Sequence, residues 1–480
     1  LVDLQHILDP RADFTFLSEH LSALADLVVR EAFRLAWEHV SEEYGIPRTV
    51  ADLPTVYAVA GLGKFGGKAL GYASDIELLL LYRDAGETSG PKHISNAEFF
   101  GELIRSAASI IESKQEGIYE VDLRLRPHGS GGPLAVSISQ FVSYYRQEAS
   151  SLEKLALVRL RTVDGDEQFR SQVERLRDVV LYEGERIDVD ELVRLRRVQA
   201  VKYAGGEHPN VKYGPGGLLD LEYCVQILQV LEGRKEPELR TPYLHEVFGM
   251  LGERGSLDAE SRFILEEAYF FLRRLINALR MLRGNALDLY LPARRSPEFL
   301  HLARRMGYQE EGGISAEEQL FVDYRKYSAV VRNFVQNSLG AHAVPEGGAE
   351  TIADILLAEH PGDEEIEKVF SRGGFAEHRR GYTDFLTLMR GWSNRSTFIE
   401  LALLAWDYLT ASPEPDMALN NWERFAGELE DTETHFLRVY RQPKRLEILL
   451  RIFSASQFLS DLLIRHPGFF EDVTDPEKIH

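Results

Sequence analysis

Four glycines within seven positions, Gly61-Leu-Gly-Lys-Phe-Gly-Gly67, separate two apolar runs and set the first limit on how this chain can fold. Ahead of them Thr55-Val-Tyr-Ala-Val-Ala60 has the composition of a strand. Behind them Ile76–Tyr82, apolar apart from Glu77, reads as a buried strand. Glycine lacks a Cβ and tolerates positive φ, so a strand, a glycine turn and a second strand let the backbone approach a bound group closely. The G-x-G-x-x-G spacing of Gly61, Gly63 and Gly66 is a weak signal, because a dinucleotide fold needs a helix next and an acid about twenty residues on. Here the acid comes sooner, and as a pair. Asp75 and Glu77 stand two apart, so on a strand both leave one face while Ile76 and Leu78 leave the other.

Paired carboxylates repel each other and resist burial. A divalent cation relieves both problems, and Mg²⁺ favours a few carboxylates together with substrate phosphates. In Tyr119-Glu-Val-Asp-Leu-Arg-Leu-Arg-Pro127 the alternation is strict. Val121, Leu123 and Leu125 point one way and Asp122, Arg124 and Arg126 the other, which predicts a strand with one apolar and one polar face. Paired near the first strand, Asp122 completes a three-carboxylate set. Arg124 and Arg126 then offer forked donors to phosphate oxygens, and Lys64 adds a charge at the turn. For either strand alone, a solvated sheet face with ordinary ion pairs is the competing reading. No serine or cysteine nucleophile is needed, and His128 reads as a structural hydrogen-bonder.

These residues carry a family resemblance. A glycine pair, a short spacer, Asp-x-Asp/Glu on a strand and a later third carboxylate resemble the DNA polymerase β-like nucleotidyltransferase superfamily. More narrowly, Gly61–Gly67, Ser74-Asp-Ile-Glu-Leu78, Glu120–Pro127 and Lys212-Tyr-Gly-Pro-Gly-Gly-Leu-Leu-Asp-Leu-Glu222 resemble the glutamine synthetase adenylyltransferase/adenylyl-removing family. The resemblance implies an α+β fold: a polymerase β-like nucleotidyltransferase domain with a mixed sheet, flanked by all-α helical-bundle domains. It implies Asp75, Glu77 and Asp122 as catalytic metal ligands for Mg²⁺ or Mn²⁺. It also implies nucleotide or phosphate contacts at Gly63, Lys64, Gly66, Gly67, Ser74, Arg124 and Arg126. The expected activity is AMP transfer on a tyrosine of glutamine synthetase, with ATP, ADP and phosphate as small substrates and a PII-type signalling protein as a further partner. Of the two directions, phosphorolytic removal of AMP is the one expected, and adenylylation from ATP is its reverse-sense counterpart. Two positions depart from the family: Glu77 stands where aspartate is usual, and Leu152-Glu153-Lys154 replaces Trp-Glu-Arg. The rival is a catalytically decayed regulatory module that binds glutamine synthetase or a signalling partner.

Charge narrows the partners. With 55 basic and 76 acidic side chains the net charge is −21, and such a chain is repelled by nucleic-acid phosphates. A single cysteine, Cys224, excludes a disulfide framework, suits a reducing cytoplasm and reads as a core thiol. No apolar run is long enough to cross a membrane. The start at Leu1, without a signal-peptide pattern, is expected of part of a longer cytoplasmic polypeptide.

Along the chain, residues 1–52 read as helical, 53–165 as the catalytic domain, 166–342 as a helical bundle and 350–480 as a second helical domain, with Pro345–Gly348 as linker. An apolar stripe of Leu17, Leu21, Leu24, Leu27, Val28, Phe33, Leu35 and Trp37 predicts the first helix. A second stripe, Ile264, Ala268, Phe271, Leu275, Leu279 and Leu282, predicts an amphipathic helix over 261–283. Further helices are expected near Ala97–Lys114, Gln140–Ala149, Phe398–Leu409 and Leu446–Arg465. Lys212, Gly216, Gly217, Asp220 and Glu222 are candidates to line a cleft, since glycines at a helix start admit an anion. A turn followed by an acid that complements the helix dipole explains them equally well.

Overall fold

The computed structural model describes residues 14–90, 92–112, 119–204, 208–253, 258–284, 288–311, 313–340, 350–440 and 442–474. The chain forms two units that are discontinuous in sequence. The first comprises Leu1–Lys202, Glu222–Glu266 and Ile276–Leu289; the second comprises Tyr203–Leu221, Glu267–Leu275 and Tyr290–His480. Residues 166–342 thus contribute to both units.

The first unit is α+β. Tyr57–Gly61 (β1), Ile76–Tyr82 (β2), Val121–Asp122 (β3), Ala135–Ser137 (β4) and Arg161–Gly165 (β5) form one mixed sheet. β1 lies antiparallel between β2 and β5, while β3 and β4 both run parallel to β2 on its other edge. In β2, Ile76 and Leu78–Leu81 are all at most 1% exposed, so both faces are covered, as an unbroken apolar run requires. Helix α1 (Phe14–Tyr44) packs along Asn96–Ile111, whose start is fixed by a reciprocal cap between Ser95 and Glu98.

Three expectations are corrected here. The buried stripe of α1 is Phe14, Leu17, Leu21, Ala25, Val29, Ala32, Phe33, Ala36 and Val40, whereas Leu24, Leu27 and Leu35 face outward. Small residues carry much of it, because close packing selects shape as well as hydrophobicity. The strand expected over Tyr119–Arg126 is only two residues long. Its polar face breaks the ladder: Asp122 Oδ1 accepts the Arg124 backbone N–H at 2.8 Å, an Asx turn that redirects the chain. Consequently Val121, Leu123 and Leu125 are only partly buried, while Arg126 is buried. Third, the helix Ala259–Arg283 is not one-faced, since every position from Phe271 to Arg280 except Arg274 is buried.

The second unit, among the described residues, is almost entirely helical. At its centre Arg395–Thr410 buries Phe398, Ile399, Leu401–Trp406 and Leu409, a helix apolar on nearly all sides. Phe370, Phe385, Trp422 and Phe425, all fully buried, pack in the same core. The run expected as one helix over Leu446–Arg465 is two, Pro443–Ala455 and Gln457–Arg465, because Ser456 leaves helical geometry and caps the Leu459 N–H. The Pro345–Gly348 linker and the end of the Ala97–Lys114 helix lie outside the described residues. No described helix is long and apolar enough to cross a membrane.

One ionic cluster stands out in this core. Lys326, 4% exposed, donates to Glu400 Oε1 at 2.6 Å, and Tyr440 donates to the other oxygen at 3.3 Å. Burial pulls the Lys326 pKa down, but the charges of Glu400 and its neighbours outweigh that and hold it above the usual lysine value. Burial raises the Asp323 and Glu267 carboxyls, and the Lys326 charge offsets part of this. Lys326→Met strands three carboxylates in a poorly hydrated site. The expected loss is about 3–5 kcal/mol at pH 8, measured by urea unfolding. The loss should shrink towards pH 5, because carboxylates with raised folded-state pKa values take up protons in the native state first.

Candidate functional site

The glycine turn is built around one carboxylate. The Leu62 N–H donates to the Glu77 backbone oxygen at 3.0 Å, and Gly63–Gly66 then make a single helical turn. Gly63 has φ +51°, and a Cβ on it would lie 2.6 Å from Glu77 Oε1. The positive φ is what favours glycine at residue 63, and the Glu77 carboxylate rests against its open side. Gly66 is equally constrained, since its Cβ would meet the Arg159 carbonyl oxygen at 2.0 Å. Phe65 N–H faces Glu77 Oε2 at 3.5 Å, too long for a strong bond. Burial pushes the Glu77 carboxyl up to about 7; its own backbone N–H, the Lys64 charge and the Phe65 N–H oppose the shift, and the Asp75 charge adds to it.

Around Glu77 the predicted alternation holds: Asp75 is exposed, Ile76 and Leu78 are buried, and Glu77 is half-buried. Parallel pairing sets Asp122 directly beside Glu77. Arg124 forks onto Asp122, Nε to Oδ1 at 3.0 Å and Nη2 to Oδ2 at 2.7 Å. Although burial works the other way, those bonds hold the Asp122 carboxyl below its ordinary value. The charges of Asp75 and Glu77 also act on Arg124, so one guanidinium feels all three carboxylates. Even so, among the described residues no three His, Cys, Asp or Glu side chains gather closely enough to hold a metal ion.

The remaining candidates divide. Lys64 sits half-buried on the glycine turn, its charge acting on Glu77. Ser74 is 5% exposed, and its hydroxyl accepts the Gly71 N–H at 3.0 Å, which makes it a brace of the turn instead of a phosphate contact. Arg126 is likewise spent: its guanidinium donates to the carbonyls of Leu123, Ser130 and Gly132, which ties off the loop after β3. Lys212, Gly216, Gly217 and Asp220 belong to the second unit. There the Gly216 N–H donates to Asp220 Oδ2 at 2.8 Å and the Lys212 ammonium lies over the Tyr213 ring. Glu222 belongs to the first unit and is buried against Arg159, 3.2 Å from its Nη2. Glu153, beside the Leu152 departure, accepts the Tyr144 hydroxyl and caps its own helix through Ser150. His128, in left-handed geometry, packs edge-on to Tyr144, and Cys224 is a buried core thiol.

Other contributors escaped the sequence reading. Arg161 pairs in bidentate fashion with Asp26 at 3.0 and 2.8 Å, donates to the Gly66 and Phe65 carbonyls at 3.1 and 3.2 Å, and lies over the Phe65 ring. It ties the glycine turn to α1. Two arginines alternating in Leu157-Val-Arg-Leu-Arg161 are the only local hint, because the partner of Arg161 lies 135 residues away.

With this geometry in place, comparison with known proteins is informative. Residues 8–176 match the family model described as glutamate-ammonia ligase adenylyltransferase, and residues 191–339 match one described as GlnD PII-uridylyltransferase. A bifunctional glutamine synthetase adenylyltransferase/adenylyl-removing enzyme of Aromatoleum aromaticum is 27% identical over 98% of this chain and 50% of its own length. Bearing the same name, a Stenotrophomonas maltophilia protein is 30% identical over 94% of this chain and 49% of its own. The chain therefore spans about half the length of the curated relatives it matches. Residues 8–176 are thus similar to the glutamate-ammonia ligase adenylyltransferase family model, and nearly the whole chain is similar to about half of the bifunctional glutamine synthetase adenylyltransferase/adenylyl-removing enzymes.

Proposed function

We propose that this chain is a nucleotidyltransferase that moves AMP on a tyrosine of glutamine synthetase, in the phosphorolytic, AMP-removing sense. The observation that carries the reading is the Glu77 carboxylate lodged against Gly63, with Asp122 in register beside it and Asp75, just before the strand, acting electrostatically on Glu77. The names borne by relatives along almost the whole chain support it.

In this direction an oxygen of inorganic phosphate attacks phosphorus of the AMP–tyrosine ester. The bond to the tyrosine oxygen breaks, that oxygen takes a proton, and ADP leaves. The reverse-sense reaction sends the tyrosine hydroxyl against the α-phosphorus of ATP and releases pyrophosphate. Either way the demands are alignment and neutralisation of charge on the phosphate oxygens. On the glycine turn Lys64, half-buried, supplies a cation for the phosphate. Arg124, whose side chain is 76% exposed, exchanges Asp122 for a phosphate oxygen when substrate arrives.

Mg²⁺, or Mn²⁺ in its place, fits the donor set. Asp75 and Glu77 offer carboxylates, and Glu77 is desolvated enough to gain from a cation. Two carboxylates plus phosphate oxygens suit Mg²⁺, and Asp122 becomes available once Arg124 leaves it. The bound ion supplies charge neutralisation at phosphorus. The protein partner is glutamine synthetase, and the match of residues 191–339 supports a PII-type signalling protein as a second one. The grip of Arg124 on Asp122 favours a second reading, a decayed module that binds the same partners without chemistry.

Two outcomes check this. With AMP-modified glutamine synthetase, phosphate and Mg²⁺, Asp75→Ala is expected to slow AMP removal on the order of 10³-fold or more without lowering the melting temperature. Target mass spectrometry reads the result, and equal rates for variant and parent support the decayed module. The second outcome concerns pH. Glu77 keeps its proton to about pH 7 in the fold but only to about 4.5 when unfolded, so metal-free stability falls as pH rises across that window. Glu77→Gln, neutral throughout, is expected to be more stable than the parent at pH 8 by about 1–3 kcal/mol and equal to it at pH 4. Mg²⁺ should close the gap at pH 8 by stabilising the parent alone.

A further inference from the structure

The turn that delivers Asp75 is held from far along the chain. Between the glycine turn and β2, Lys68 and Ala73 both adopt left-handed φ of 49° without being glycine. Such residues are strained and persist only where their surroundings over-determine them. At Tyr72 the surroundings do so. Its N–H donates to Asn277 Oδ1 at 2.7 Å, and its carbonyl accepts Arg280 Nη1 at 3.0 Å. The same Nη1 reaches Ser74 Oγ at 3.3 Å, and Ser74 Oγ accepts the Gly71 N–H. Asn277 and Arg280 stand three apart on the helix Ala259–Arg283, in the segment that belongs to the first unit, so from one helical face they reach the two successive peptide groups that flank the Tyr72 Cα.

These are costly residues to place there. Asn277 is 3% and Arg280 7% exposed, among Leu275, Ile276, Ala278 and Leu279, none more than 5% exposed. An apolar pair would tether a helix to a turn at least as well, whereas a buried amide and guanidinium on the two peptide groups either side of one Cα fix that residue's backbone orientation. The turn so fixed ends at Ser74, the residue before Asp75.

We propose that Asn277 and Arg280 are positioning residues for Asp75: by holding the peptide groups before and after the Tyr72 Cα they fix the strained Gly71–Ser74 turn and so set the aim of the carboxylate at its metal. The inference rests on the functional reading above and adds a requirement for residues with no contact to substrate. Outer-shell partners of metal ligands typically govern affinity or activity by about 10–100-fold, and that is the scale expected here.

The test uses the full chain and four variants. Asn277→Leu and Arg280→Met remove the bonds at similar volume, whereas Asn277→Asp keeps an acceptor and Arg280→Lys a donor. Mn²⁺ binding, read by electron paramagnetic resonance in the presence of inorganic phosphate, is expected to weaken about tenfold or more in the first two and to recover in the conservative pair. Hydrogen exchange at Tyr72 should quicken in Asn277→Leu. In the AMP-removal assay kcat is expected to fall while KM for modified glutamine synthetase stays within about twofold. If exchange quickens but Mn²⁺ affinity and kcat do not change, the clamp is merely structural and the proposal is overturned while the functional reading stands. If the unaltered protein binds no Mn²⁺, the functional reading fails and this inference fails with it.

Discussion

A carboxylate pressed against a glycine is the contact on which the rest of the first unit depends. Glu77 leaves the start of a strand buried on both faces and comes to rest against Gly63, whose positive φ favours glycine. The cost of that placement is visible in its pKa, pushed to about 7 by burial. Its own backbone N–H, one lysine charge and one long N–H contact offset only part of the penalty. A carboxylate left in that condition marks a place where something positive is wanted, whether a proton, a metal ion or the cationic partner of a phosphate.

Much of the first unit reads as support for this contact. Arg161 grips the two carbonyls that close the glycine turn and is itself fixed by Asp26 on the long first helix. Arg159 and Glu222 form a buried pair next to Gly66 and Gly67. Asn277 and Arg280 take the turn on the other side of the sequence motif. Arg161, Asn277 and Arg280 each bond backbone groups of the turns they hold, and Arg159 pairs with a carboxylate; such groups fix geometry more than they add stability.

The comparison of sequence with structure turns on distance along the chain. The elements whose cause is local were legible: the first helix, β1, β2, the glycine turn between them, and the alternation of Ile76 and Leu78 with Glu77. β3 failed because a local rule met a stronger local rule, the Asx turn of Asp122 onto Arg124 overriding the alternation that otherwise reads as a long strand. Arg126 and Ser74 failed for another reason. Nothing in their neighbours states that carbonyls or a distant helix will use up their hydrogen-bonding capacity. In α1 the leucines misled, since the buried stripe runs through alanines that apolar counting undervalues.

By itself, the sequence determined that a glycine turn precedes a strand on which Glu77 alternates with Ile76 and Leu78, because period-two alternation and the absence of a Cβ are properties of neighbouring residues. It also determined the strongly acidic balance and the helical character of the C-terminal half. Only the tertiary structure decided that Asp122 lies beside Glu77, that Arg124 holds it, and that Asp26, Arg161, Asn277 and Arg280 brace the turn. Those contacts join residues up to 208 positions apart. Their specificity comes from packing distances and hydrogen-bond angles, which no local pattern encodes.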